Sequence, residues 1–362
     1  MARGADIGTE MPKALREAVQ RLMETGGFEG TFTLARTPGG GVDYFLSTKE
    51  EGAPELLPLH PVMPNHAGRL LREMTLGGAM RGKVLVITRP CELRGFVEIV
   101  KRLQGCLDNL VFLSVVCGGV FPLSMVSAGW DGKRTEEYWA YPDGRPVQGL
   151  RPACQGCTEF IPYTADLVVA PSANGHWALT AGSEEGGRLI ERAFPSAPAA
   201  EMDPKALEAM AVARKAGREE VLSHEADVKG LSDLVKVFGR CIGCHACSKA
   251  CPICYCTLCT FESSRMEDRM EQSKGQLEVK GGIRAPAGTV LFHIGRMGHM
   301  AVSCVACGCC QDVCPVGIPV SLLFKKVGEA VQARFEYVPG RDVKEALPIN
   351  TFQPMEFKEV GE

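Results

Sequence analysis

CIGCHACSKACP, residues 241–252, and CVACGCCQDVCP, residues 304–315, are the two stretches that decide how this chain is read. Each sets its cysteines in the order C-x2-C-x2-C-x3-C with a proline after the last. The first run is Cys241, Cys244, Cys247, Cys251 and Pro252; the second is Cys304, Cys307, Cys310, Cys314 and Pro315. Three thiolates so closely spaced wrap one cubane cluster, and the fourth, before the proline, serves the other cluster. The spacing therefore predicts a crossed pattern. Cys241, Cys244, Cys247 and Cys314 hold one 4Fe-4S cluster, and Cys304, Cys307, Cys310 and Cys251 hold the second. Thiolates suit the soft iron, and each proline ends the helical turn that starts at the fourth cysteine. A C-x3-C-x2-C spacing also occurs at Cys247, Cys251 and Cys254, but the two runs already claim two of its three sulfurs.

Outward from the runs, residues 236–335 read as a bacterial-type two-cluster ferredoxin domain. Residues 231–238 form a short helix leading into the first run. Residues 252–303, between the runs, exceed what a compact ferredoxin needs. Within them, residues 262–274 are highly charged without an apolar face and read as a solvated helix or surface excursion. Residues 289–293 read as a strand. Residues 318–335 keep Val320, Leu323, Phe324, Val327 and Val331 in helical register. Residues 336–362 read as an extended tail lying across this subunit or a partner.

Residues 1–235 read as a separate α/β domain. Leu15, Ala18, Val19, Leu22 and Met23 mark an amphipathic helix over residues 12–25, ended by Gly26 and Gly27. Residues 28–36 and 42–46 alternate like strands around a Pro-Gly-Gly-Gly turn. Asn65 is the expected N-cap of a helix running to Leu76. Residues 84–88 (VLVIT) and 109–117 are expected buried strands, with a helix over 92–103 between them. Residues 165–170 and 177–181 follow as short strands, and helices then dominate from 183 to about 223. Such strand–helix alternation predicts an α/β architecture. Two nucleotide motifs fail. GGAMRGK, residues 77–83, has Val84 where a magnesium-binding hydroxyl belongs, and it runs from helix to strand rather than the reverse. No G-x-G-x-x-G follows a strand.

The bulk numbers narrow the class. The 362 residues suit two domains. A net charge of −3 without a basic block argues against nucleic acid. The apolar run over 110–126 is broken by Gly118, Gly119 and Pro122, so it reads as strand and turn rather than membrane span. MARGADIGTEMPKAL has no basic segment followed by an apolar one. Seventeen cysteines without such a leader point to metal clusters in a reducing cytoplasm rather than to disulfides.

Four more cysteines lie in the first domain. Cys91 follows the VLVIT strand, Cys117 ends the next strand, and Cys154 and Cys157 form a C-x2-C pair. Strand ends and a loop can meet at one sheet edge. Buried structural thiols plus a zinc half-site remain the plainer alternative. Of the other five, Cys106 reads as a core thiol and Cys309 as a neighbour of a ligand. Cys254, Cys256 and Cys259, in PICYCTLC, are denser than packing requires. They read either as thiols that tune the first cluster through weak hydrogen bonds or as part of a further metal site. His245, His293 and His299 read as core or surface residues, with a hydrogen bond to the first cluster open to His245. Trp130, Trp139 and Trp177 read as core or interface residues.

The order TRPCELRG, SVVCGG and CQGCTEF followed by ADLVVA, with LPLHPVMPNHAGRLLREM upstream, resembles the β-subunit family of coenzyme F420-reducing hydrogenases and F420-dependent formate dehydrogenases. CPICYCTLC and GRMGHMAVSCVACGCCQDVCPVGIP resemble the extension on its formate-dehydrogenase-type members. The resemblance implies that Cys91, Cys117, Cys154 and Cys157 hold a third 4Fe-4S cluster beside an FAD. Asn65, Arg89, Glu92 and Arg94, the polar groups nearest these motifs, become candidates to bind the flavin; for Glu92 and Arg94 a helix-face ion pair is the plainer role. The implied function is an oxidoreductase subunit that passes electrons between a hydride carrier such as F420 and a partner hydrogenase, formate dehydrogenase or heterodisulfide-reductase-like subunit. Two alternatives stay open. One is a flavin and iron–sulfur subunit that never meets F420 and exchanges electrons with ferredoxin, nicotinamide enzymes or neighbouring subunits. The other is a flavin-free polyferredoxin adaptor.

Overall fold

The first part of the chain is built on a mixed sheet, parallel at its centre, whose two faces are sorted by residue parity. A computed structural model describes residues 4–48, 54–127, 130, 132–140, 147–263, 270–283, 286 and 288–351. The strands are β1 (Gly4–Gly8), β2 (Gly30–Arg36), β3 (Val42–Thr48), β4 (Val84–Ile87), β5 (Leu110–Val115), β6 (Leu167–Pro171) and β7 (Trp177–Ala181), in the order β1-β7-β6-β5-β4-β2-β3. Neighbours β2, β4, β5 and β6 pair in parallel, while β3, β7 and β1 add antiparallel edges.

Side chains alternate across a strand. Leu85, Ile87, Val111, Leu113, Leu167 and Val169 therefore face α1 (Lys13–Thr25), through Leu15, Val19 and Leu22. Val84, Val86, Leu110, Phe112, Val168 and Ala170 face the other way, against α2 (Ala67–Thr75) and α3 (Pro90–Val100). Both faces are covered, which explains why these strands read as unbroken apolar runs. Short helices α4 (Leu123–Ser127), α5 (Gly132–Trp139) and α6 (Pro152–Gln155) connect β5 to β6. Helices α7 (Glu184–Ala193) and α8 (Pro204–Glu225) follow the sheet.

The C-terminal part is helical and loop-rich: α9 (Leu231–Phe238), α10 (Ala246–Lys249), α11 (Met270–Lys280), α12 (Thr289–Met300), α13 (Cys309–Asp312) and α14 (Val320–Arg334). Phe238, Met297, Ile318, Leu322, Leu323 and Phe324 form its core, which Val221 of α8 also joins.

Some expectations change. Residues 289–293 are not a strand but the first turns of α12, with Phe292, His293, Arg296 and Met297 turned inward. The cap of α2 is His66, whose Nδ1 accepts from the Gly68 amide at 3.1 Å, not Asn65. The helix after β4 starts at Pro90 rather than Glu92. Part of the charged excursion, residues 264–269, lies outside the described residues.

After α14 residues 337–340 lie against the body, and residues 352–362 of the expected tail lie outside the described residues. Tyr337 and Gly340 reach Glu98 of α3, the Gly340 amide donating to Oε1 at 2.9 Å. Arg94 Nε donates to the Pro339 carbonyl at 2.8 Å. Gly340 has φ 70°, and a Cβ there would stand 2.2 Å from the Arg94 carbonyl oxygen, so only glycine lets the segment lie this close.

Candidate metal centres

Parallel neighbours β4 and β5 end at the same sheet edge, where open α/β sheets carry their ligands. Cys91 opens α3 just past β4, and Cys117 stands just past β5. Cys154, in α6, and Cys157 arrive from the loop before β6. All four line one small cavity, together with Arg89, Gly119 and Arg214. The Gly119 amide donates to Cys117 Sγ at 3.4 Å. Gly119 has φ 106°, and a Cβ there would sit 3.1 Å from that of Cys154, so the loop closes only on glycine. Arg214 of α8 is buried beneath, donating to the carbonyls of Cys154, Gly118 and Cys117. Burial pushes the Cys117 thiol up to about 11, with Arg89 pulling it down and Cys154 and Cys157 adding to the rise. Burial also raises Cys91, followed by Glu92 and then Cys117, Cys154 and Cys157. Such thiols are neutral on their own, and a bound metal would be what holds them as thiolates.

In the C-terminal part the sulfurs gather across the two runs. Burial pushes the Cys247 thiol up to about 11; Arg296 opposes the rise, and Cys241, Cys244 and Cys314 add to it. Cys314 thus neighbours the first run, and its Sγ accepts from the Ile318 amide at 3.3 Å. Cys251 in turn shares a second small cavity with Cys304, Cys307 and Cys310. Cys307 also lines the Cys91 cavity. The Cys251, Cys304, Cys307 and Cys310 group thus borders the Cys91 group through Cys307 and lies beside Cys247 of the first run. Among the described residues no set of three or more His, Cys, Asp or Glu closes tightly enough for a single metal ion. A cubane, with four irons inside the thiolates, spaces its ligands wider. The donor sets fit 4Fe-4S clusters in number and kind.

All seventeen cysteines are free thiols. Cys254 lies beside the first run, with Met300 Sδ 3.8 Å from its sulfur. Cys256 is exposed, and all three sulfurs of PICYCTLC line a cavity of about 170 Å³ with Arg69, Arg72 and Arg296. Cys309 is buried 3.3 Å from Met63 Sδ. Cys106 is half-buried. The His245 ring stacks on Phe292 at 4.2 Å and faces Glu262, while His293 stacks on Phe238 at 4.3 Å. Burial lowers His293 to about 4, with Arg296 second, so it stays neutral. Trp139 and Trp177 pack edge to face in the core; Trp130 lies against His60 and Phe121.

The four polar residues put forward for a flavin do not share a cavity. Glu92 is fully buried, accepting from Tyr44 Oη at 2.6 Å, the Ala67 amide at 3.0 Å and the Arg89 amide at 3.0 Å. Arg89 donates to the His60 carbonyl. Arg94 holds the C-terminal segment. Asn65 is exposed and bonded to Asp43 at 3.0 Å. Most of their polar atoms serve the fold, while Arg89 lines the Cys91 cavity and Arg94 a separate cavity of about 290 Å³ with Cys157 and Cys304, so the four do not form one flavin cradle. Missed from sequence were Arg151, Arg214 and Arg296, buried arginines beside the quartets; closeness to Cys154 and to the second run is a hint for Arg151 and Arg296, and Arg214 has none.

Residues 238–318 match the 4Fe-4S dicluster domain family. The F420-dependent formate dehydrogenase subunit beta of Methanocaldococcus jannaschii is 28% identical over 343 residues, covering 83% of this chain and 84% of that protein. The F420-dependent formate dehydrogenase 1 subunit beta of Methanococcus maripaludis is 26% identical over 374 residues, covering 89% of this chain and 88% of that one. The chain is thus similar to these β subunits along most of its length, and it carries a 4Fe-4S dicluster domain at its C-terminal end. A chain of the xenon-derivatised F420-reducing [NiFe] hydrogenase complex from Methanosarcina barkeri overlaps 60% of this chain and 90% of its own length, with a TM-score of 0.41 and 13% identity. Among the described residues no helix is long and apolar enough to cross a membrane.

Proposed function

We propose that this chain is the electron-transfer subunit of a multisubunit redox enzyme, carrying three 4Fe-4S clusters in file. Residues 1–235 hold the cluster on Cys91, Cys117, Cys154 and Cys157, and residues 236–335 hold the crossed pair. The observation that carries the reading is Cys307, which stands on the walls of both the Cys251 cavity and the Cys91 cavity. Clusters that share a wall pass electrons one at a time. The end members are the Cys91 cluster, at the sheet edge, and the Cys241, Cys244, Cys247 and Cys314 cluster, near the surface at exposed Cys244.

The names of the relatives favour F420 as hydride carrier and a formate dehydrogenase as partner; hydrogenase and heterodisulfide-reductase-like subunits fit the same wiring. A hydride carrier gives two electrons and a cluster takes one, so the reading includes an FAD between them. No step is assigned to Asn65, Arg89, Glu92 or Arg94. The free thiols suit a reducing cytoplasm.

Complex purified without oxygen is expected to hold about 12 irons per copy of this chain, after the partners' own iron is subtracted, with flavin absorbance. About 8 irons and no flavin would replace this reading by the adaptor one. Flavin-loaded complex that fails to reduce or oxidise F420 would remove F420 alone.

A further inference from the structure

We infer that Arg296 and Arg151 are the tuning residues of the relay, one guanidinium set at each of its two junctions, where it favours the electron-loaded state of the clusters on either side. The inference rests on the three-cluster reading above and adds how neighbouring clusters are matched.

Arg296, from the inner face of α12, lies at the first junction. It is 3% exposed. Its Nη1 donates to Cys247 Sγ at 3.1 Å, and its Nη2 to the Cys247 carbonyl at 3.2 Å and Cys254 Sγ at 3.7 Å. It also lines the cavity of Cys251, Cys304, Cys307 and Cys310. One cation therefore touches a thiol of the end quartet and borders the middle quartet. The rings of Phe292 and Phe324 hold its plane at 5.5 and 5.3 Å. Among the described residues no carboxylate forms a salt bridge with it.

Arg151 occupies the second junction. It is 2% exposed, just ahead of α6. Its Nη1 donates to the Cys307 carbonyl at 3.1 Å and stands 3.8 Å from Cys309 Sγ. The Cys154 amide donates to the Arg151 carbonyl at 2.8 Å, which ties the Arg151 backbone to the Cys91 quartet, and the guanidinium charge acts on the Cys154 thiol. Unlike Arg296 it has an anion, Asp312 Oδ2, at 2.7 Å from Nη2.

The physical consequence has a sign. A cluster that accepts an electron from its neighbour gains one negative charge, and the neighbour loses one. A buried fixed cation lowers the energy of the charged-up form, and little water is present to screen it. Hydrogen bonds to cluster thiolates act in the same direction. A cation shared by two clusters raises both potentials together, which keeps the step between them small. Arg296 acts with its whole charge, and Arg151 with a charge that Asp312 partly cancels.

The test is an anaerobic redox titration of the complex, followed cluster by cluster by electron paramagnetic resonance. Arg296→Met is expected to lower the midpoints of the Cys241-type and Cys251-type clusters and to leave the Cys91-type cluster in place. Arg296→Lys keeps the charge and loses the fork, so it should fall between. Arg151→Met should move the Cys251-type and Cys91-type midpoints, by less. Midpoints that stay in place in Arg296→Met, or that shift equally in all three clusters, would overturn the assignment. Should Arg296→Met lose iron, the lysine variant decides: full loss of midpoint in it means that charge is not the agent. Wild-type complex without three cluster signals would instead defeat the relay reading itself.

Discussion

Cys314→Ser is expected to remove the cluster of the first cysteine run and to spare that of its own sequence neighbours. The expectation follows from where the sulfur stands. Cys314 adds to the upward push on Cys247 alongside Cys241 and Cys244, although it lies in the second run. The middle cavity, by contrast, is walled by Cys251, Cys304, Cys307 and Cys310, without Cys314. A serine hydroxyl is a harder and more basic ligand than a thiolate, and a cubane held by three thiolates is labile. Iron should fall by about 4 per chain, with one paramagnetic signal lost. Cys251→Ser should remove the other signal. If Cys314→Ser instead abolishes the signal that depends on Cys304 and Cys307, the ligands are not crossed and the file of quartets must be redrawn.

Glu98→Ala should destabilise the protein by about 3–5 kcal/mol, the usual cost of stripping one partner from a buried charge network. Glu98 is fully buried on α3. Its Oε2 accepts from Arg102 at 2.9 Å, and its Oε1 accepts from the Gly340 amide at 2.9 Å and from Tyr337. Lys101 is 3.5 Å away. Removing the carboxylate leaves two buried cations without an answering charge and frees residues 337–340 from the first domain. Tyr337→Phe keeps the ring and removes two hydrogen bonds, one donated to Glu98 and one accepted from Lys101, so about 2 kcal/mol is expected. Anaerobic unfolding followed by circular dichroism separates the two. Equal midpoints for Glu98→Ala and wild type would show that the C-terminal segment is not held there.

Much of the site could be read before the fold. The paired runs imply crossing by spacing alone. The β4 and β5 strands announce themselves as VLVIT and LVFLSVV, so Cys91 and Cys117 had to lie at strand ends. That they lie at the same end follows only from parallel pairing, which sequence does not display. The segment TVLFH reads as a strand because its β-branched start dominates a short window; the helical face of α12 emerges once Arg296 and Met297 are counted, and an arginine is not a residue one assigns to a core. The same bias hid Arg151 and Arg214. Glu92 and Arg89 looked available for a ligand, but their polar atoms close the start of α3, a use that no one-dimensional pattern marks.

The interleaving of the quartets also sets a clock on biosynthesis. Cys241, Cys244 and Cys247 leave the ribosome well before Cys314, and Cys251 well before Cys304. At roughly 5–20 residues per second, the first run waits several seconds for the sulfur that completes its set. On the crossed pattern the first run stays open until Cys314 has been made, and in that interval its three thiolates would stand without their fourth partner.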